Sequence, residues 1–223
     1  MKNSLWLQAL LKFLAGVILV GLLIFLPAGT LTYWNGWLLM GLLFIPMCIA
    51  GVVMLIKSPD LLKNRLNAKE KESEQKLVVL ASGVLFLAGF ILSGLTFRYG
   101  WLPLPTWVII AASAAFLFGY GLYAEVLREN AYLSRTIGVQ EGQKVVSTGL
   151  YGVVRHPMYL ATIVMFLSIP LVLGSLIAFF VFLPYPLVLV FRIRNEEQVL
   201  EEQLDGYAEY KQNVKYRLIP FIW

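Results

Sequence analysis

The chain has 223 residues, 59% of them hydrophobic and 14% charged, with a mean hydropathy of +0.76. That leaves too little polar surface to clothe a water-soluble globule, so the composition excludes a soluble domain and implies an integral membrane protein. A single Cys48 excludes an intramolecular disulfide, one histidine without a second cysteine excludes a His/Cys zinc site, and a net charge of +5 suits loops beside anionic lipid without any nucleic-acid partner.

Charge-free apolar runs predict spans at Phe13 to Tyr33, Asn35 to Ile56, Leu77 to Phe97 and Leu102 to Tyr123. The first could be mistaken for a secretory signal, but it lacks a clear Ala-x-Ala site and is expected to stay as a span. Between the second and third lies the one long hydrophilic linker, 57–76, where Leu61, Leu62 and Leu66 recur at helical spacing; it is read as a connector along the cytosolic interface. In the fourth span Ala111, Ala115 and Gly119 form a small-residue ridge suited to close helix contact.

Met158 to Phe191 is 34 residues without a charge, about 51 Å as one helix against a bilayer core of about 30 Å. It should therefore fold back near Pro170, Gly174 and Ser175 as a hairpin of two short legs, Met158 to Leu173 and Leu176 to Phe191. The expected architecture is all-α, with about six crossings, residues 1–126 forming a four-span region and residues 127–223 a catalytic region. On this map 17 of 18 basic residues fall on one side, Arg98 alone on the other, and all 13 acidic residues join the majority. The positive-inside asymmetry puts both termini and the charged loops in the cytosol.

The hairpin returns the polar cluster after Phe191 to the side holding the only histidine. Pro157 suits the first turn of a helix, placing His156 near its N-cap, where free amides could receive a carboxylate or phosphate with Arg155 beside them. Arg192 and Glu196 share a helix face, while Glu197 points about 100° away, so one carboxylate can be buried and the other wet. Leu200, Leu204, Tyr207 and Val214 then mark an amphipathic helix across the hairpin mouth. Together these features are how a small charged cofactor is held.

The strings Gly149-Leu150-Tyr151, Arg155-His156-Pro157-Met158-Tyr159, Arg192-x-Arg194-x-Glu196-Glu197, Tyr207-x-x-Tyr210 and Tyr216-Arg217-Leu218-Ile219-Pro220 resemble the isoprenylcysteine carboxyl methyltransferase family, particularly its small prokaryotic members, and more loosely the phospholipid methyltransferases. The resemblance covers about Glu129 to Trp223. It implies S-adenosyl-L-methionine at the cytosolic end of the hairpin of a prokaryotic cytoplasmic-membrane protein, with a lipophilic acceptor arriving from the bilayer and carboxyl O-methylation favoured. Carried over residue by residue, it assigns cofactor contact to Gln140, Gln143, Lys144, Val145, Val146, Tyr151, His156, Pro157, Met158, Tyr159 and Glu196, acceptor contact to Arg192 and Arg155, and catalytic roles to Arg192 and Glu196, with no metal.

Two other readings stay open. The tail Tyr216 to Pro220 and the Arg-His-Pro core also resemble the end of membrane sterol reductases, which use a nicotinamide dinucleotide. A non-enzymatic lipid-binding protein would use the same clusters only as interfacial anchors.

Overall fold

The computed structural model describes residues 2–67, 73–134 and 136–223. Among them every regular element is helical: α1 Lys2–Ala28, α2 Trp34–Lys57, α3 Pro59–Leu66, α4 Ser73–Tyr99, α5 Thr106–Glu129, a 3₁₀ turn Gly149–Gly152, α6 Pro157–Val172, α7 Leu176–Phe182, α8 Tyr185–Gln203 and α9 Tyr207–Asn213. Five stretches are long and apolar enough to cross a bilayer, at Leu5–Ala28, Trp34–Lys57, Gln75–Tyr99, Thr106–Glu129 and Leu176–Gln203, and Pro157–Val172 is a shorter apolar helix. Large apolar side chains such as Ile18, Trp107 and Phe191 are more than 60% exposed along these helices, a surface that suits lipid and not water. The protein is a polytopic, all-α integral membrane protein.

The core buries Ile24 and Phe25 of α1, Leu39 of α2, Phe90 of α4, Phe116 of α5, Met165 and Ile169 of α6 and Phe182 of α7. The broadest helix pairing is α5 with α6. Its close face runs through Ala112, Phe116 and Gly119; Ala111 is exposed, so the expected ridge holds at Gly119 and lies one residue off at its start. A side chain on Gly119 would meet Met165 Cγ at 2.6 Å.

The hairpin turns where the sequence breaks. Gly174 has φ +74°, with Asn35 Nδ2 3.3 Å from where a Cβ would sit, and Ser175 caps α7 by accepting from Ala178 N at 3.1 Å. This tip is pinned to the rest of the bundle. Asn35 Nδ2 donates to Val172 O at 2.9 Å, Thr96 and Ser175 hydroxyls lie 2.8 Å apart, Leu104 N donates to Gly174 O, and the Tyr33 hydroxyl donates to Leu173 O. The turns after α1 and α4 therefore share one end of the molecule with the hairpin tip, and α3 and the hairpin base share the other.

Several boundaries differ from the sequence reading: the first span lies at Leu5–Ala28, ahead of the expected Phe13 to Tyr33, and the fourth at Thr106–Glu129, beyond the expected Leu102 to Tyr123. The second hairpin leg breaks at Pro184, which lacks an N–H for the α7 ladder, and α8 then runs past Phe191 to Gln203. The amphipathic stretch splits at Asp205–Gly206 into the end of α8 and a separate α9. The hydrophilic linker is mostly helix, since Pro59 opens α3 and Leu61 and Leu62 are buried; its positions 68–72 lie outside the described residues.

Candidate functional site

At the hairpin base His156 is the N-cap of α6 and Pro157 its first residue, as the spacing predicts. The two backbone amides just ahead of α6 are occupied. Arg155 N donates to Tyr216 O at 2.9 Å and His156 N to Arg217 O at 2.8 Å, so the C-terminal segment lies across this end of α6. A pairing across some sixty residues of chain leaves no local sequence signal.

Beneath that segment Glu197 is 3% exposed and fully engaged. Its Oε1 accepts from Arg155 Nε at 2.7 Å and lies 3.2 Å from His156 Nε2, and its Oε2 accepts from Arg217 Nε at 2.8 Å. Arg155 also donates through Nη1 to Val214 O and Lys215 O, and the Arg217 guanidinium stands 5.2 Å from the Trp223 ring centroid. The buried member of the acidic pair is thus Glu197. Sequence reasoning assigned it no role, because helical geometry alone cannot say which of two adjacent carboxylates will meet cations from other segments.

Glu196 is half-buried beside it and belongs to a second network. Tyr159 Oη donates to Glu196 Oε2 at 2.6 Å and accepts from Arg192 Nε at 2.9 Å, while Arg192 Nη1 donates to Gln75 Oε1 at 3.0 Å.

The opposite wall is the connection from α5 to α6. Glu129 at the end of α5 accepts from Leu150 N, seating the 3₁₀ turn, and Tyr151 on that turn is held by Asn130 Nδ2 on its hydroxyl and by Tyr210 Oη on its carbonyl. Gln140 organises the loop from within: its N donates to Gln143 Oε1 at 2.9 Å, and its Oε1 accepts from Asn64 Nδ2 of α3 at 2.8 Å. Arg65 of α3 donates to Ser134 O at 3.0 Å and to the Tyr123 hydroxyl.

These walls line a narrow cleft of about 100 Å³ that opens to the outside. Gln143, Lys144, Val145, Val146, Tyr151, Arg155, His156, Met158, Tyr159 and Glu196 all line it. Of the sequence-derived candidates, Gln140, Pro157 and Arg192 do not border it; they hold the loop, the helix start and Tyr159 respectively. Reasoning from sequence gave no site role to the α9 wall of Tyr207 and Tyr210, although Tyr207-x-x-Tyr210 was a visible motif. Burial, with Glu197 and Glu196 nearby, pushes the Tyr207 phenol well above its usual range, and burial raises Tyr151 and Tyr210 likewise, so all three are neutral donors at physiological pH. Tyr207 Oη is the one buried side-chain polar atom among the described residues without a hydrogen-bond partner. No three His, Cys, Asp or Glu side chains among the described residues gather as a metal-binding group.

Known proteins resemble parts of the chain. A family model for phospholipid methyltransferases matches residues 107–205, from α5 to the turn after α8. Among curated proteins, the chain is similar to a Delta(14)-sterol reductase of Mus musculus, 36% identical over 91 residues that make up 40% of this chain and 22% of that protein. It is also similar to a Delta(14)-sterol reductase of Methylotuvimicrobium alcaliphilum, 24% identical over 135 residues, 54% of this chain and 32% of the other. The chain matches less than a third of the length of either reductase. The family model points to a membrane methyltransferase, and the cleft's α6 and α8 walls lie inside the matched stretch.

Proposed function

We propose that this protein is an S-adenosylmethionine-dependent methyltransferase whose region 127–223 binds the cofactor at the cytosolic membrane face and methylates a lipophilic acceptor that arrives from the bilayer, a carboxylate being favoured. The observation that carries this reading is the unpartnered, buried Tyr207 hydroxyl on a cleft that also holds Glu196, His156 and the segment Gln143 to Val146. An unbonded buried hydroxyl costs about 1 to 3 kcal/mol, which a polar ligand would recover.

The residues present suit this cofactor. Glu196 spends Oε2 on Tyr159 and borders the cleft, so its carboxylate can accept from ribose hydroxyls. Lys144 on the cleft wall supplies a cation for an amino-acid carboxylate. Tyr151, Tyr159 and Tyr207 line the cleft, and aromatic rings attract a cationic sulfonium. When bound, S-adenosylmethionine supplies an electrophilic methyl group. The protein's share is alignment for in-line displacement and exclusion of water, for which a cleft framed by paired side chains suffices.

The reductase relatives favour a second reading, in which the same cleft receives NADPH. Calorimetric titration of detergent-purified protein with S-adenosylhomocysteine and NADPH in parallel decides between them. Binding of the first and not the second is expected; the reverse would install the reductase reading, and binding of neither would favour a non-catalytic lipid-binding role.

A further inference from the structure

Gln75 stands in the first turn of α4, outside the stretch that the methyltransferase model matches, and is 1% exposed. A buried primary amide is costly unless both of its ends are bonded, and an apolar side chain would occupy the same space without that cost. Here both ends are used on α8. Oε1 accepts from Arg192 Nη1 at 3.0 Å and Nε2 donates to Asn195 Oδ1 at 2.8 Å, so one side chain grips two residues spaced i, i+3 beside Glu196.

We infer that Gln75 is a positioning residue for the cofactor cleft, acting through Arg192 and Tyr159 on Glu196; the inference rests on the methyltransferase reading of that cleft. The direction of the hydrogen bonds makes the case. Arg192 has donors only, so the Tyr159 oxygen that it reaches at 2.9 Å must accept, which sends the single phenol proton to Glu196 Oε2 at 2.6 Å. Glu196 is thereby held in one orientation with one oxygen satisfied inside the protein, and its carboxylate meets the cleft already aimed. Gln75 fixes the guanidinium that starts this chain, so a helix of the four-span region sets the geometry of a site built from α6 and α8.

The test measures S-adenosylhomocysteine affinity by calorimetry for wild type, Gln75→Met, Gln75→Glu, Tyr159→Phe and the double variant Gln75→Met/Tyr159→Phe, with a melting curve for each. Gln75→Met is expected to bind about three- to tenfold more weakly. Gln75→Glu keeps an acceptor for Arg192 and should stay within about twofold of wild type. In the Tyr159→Phe background, where the link to Glu196 is already cut, adding Gln75→Met should change affinity by less than about twofold. A structural staple would lower the melting temperature without this background dependence. Equal losses in both backgrounds, or no loss from Gln75→Met, would overturn the relay while leaving the methyltransferase reading standing. A wild type that fails to bind S-adenosylhomocysteine overturns that reading, and the relay with it. Should Gln75→Met not fold, Gln75→Asn, one methylene short of Arg192, takes its place.

Discussion

Arg155 Nε lies 2.7 Å from Glu197 Oε1, and both side chains are almost wholly buried, at 4% and 3% exposure. Because Arg155 also holds the carbonyls of Val214 and Lys215, and Glu197 also holds Arg217, this pair fastens the last ten residues over the start of α6. Removing one partner strands the other charge. Glu197→Ala is therefore expected to cost about 3 to 5 kcal/mol of stability, seen as a large drop in melting temperature in detergent, with earlier proteolysis beyond Val214. An unchanged melting curve would mean that the pair does not hold the segment.

Glu196 predicts a different outcome from its neighbour. Its carboxylate borders the cleft, so Glu196→Gln should weaken S-adenosylhomocysteine binding by about 1 to 3 kcal/mol while changing the melting temperature much less than Glu197→Ala does. Exposed Glu202 is the control, and Glu202→Gln should leave binding unchanged. Equal losses at positions 196 and 202 would remove the cleft assignment.

Local chemistry made part of this legible in the sequence. The existence of the spans, the turn at Gly174 and Ser175, and the start of α6 at Pro157 each follow from residue types acting on their own backbone; the turn and the helix start appear where the pattern placed them, while several span ends move by a few residues. What local chemistry cannot encode is which distant segment arrives. The strap at Tyr216 and Arg217 decides that the amides of Arg155 and His156 are occupied, and the arginines at 155 and 217 decide that Glu197 is the buried carboxylate. The one-residue offset of the α5 ridge has the same origin, because Met165 and Ala161 of α6 select the face through Gly119.

Gly149 shows how tightly the Tyr151 wall is built. Its φ is +54°, and a Cβ there would fall 1.4 Å from Glu129 Oε1, the carboxylate that seats the turn. Gly149→Ala combines backbone strain with the loss of that carboxylate's position, and about 1 to 3 kcal/mol of destabilisation is expected from the strain alone. Adding Glu129→Ala should relieve the clash but not the strain, so the double variant should lie below the sum of the single losses in a thermal-melt cycle. Strict additivity would show that the two sites do not touch.

The buried phenols give the alkaline limb of stability a sign. Tyr151, Tyr207 and Tyr210 have folded-state pKa values raised above the unfolded value of about 10, chiefly by burial. Each contribution is fully present below about pH 10 and is lost as pH rises toward the folded-state values. The melting temperature should accordingly hold up to about pH 10 and fall as pH rises beyond it, and ultraviolet difference spectra should show these phenolates appearing only with unfolding. Ionisation of all tyrosines before unfolding would contradict their burial.

Tyr207 separates stability from binding more sharply than any other position. Its hydroxyl is buried and unpartnered, so Tyr207→Phe removes a polar atom that has no bond to lose, and the unliganded protein should melt at the same temperature or slightly higher. If that hydroxyl serves the ligand, the same change should weaken S-adenosylhomocysteine by about 0.5 to 1.5 kcal/mol, the ordinary worth of a neutral hydrogen bond. Tyr210, whose hydroxyl donates to Tyr151 O at 2.7 Å, supplies the contrast: Tyr210→Phe should lower stability by breaking an internal bond. A Tyr207→Phe variant that melts lower and binds normally would make the hydroxyl a structural group and withdraw it from the cleft.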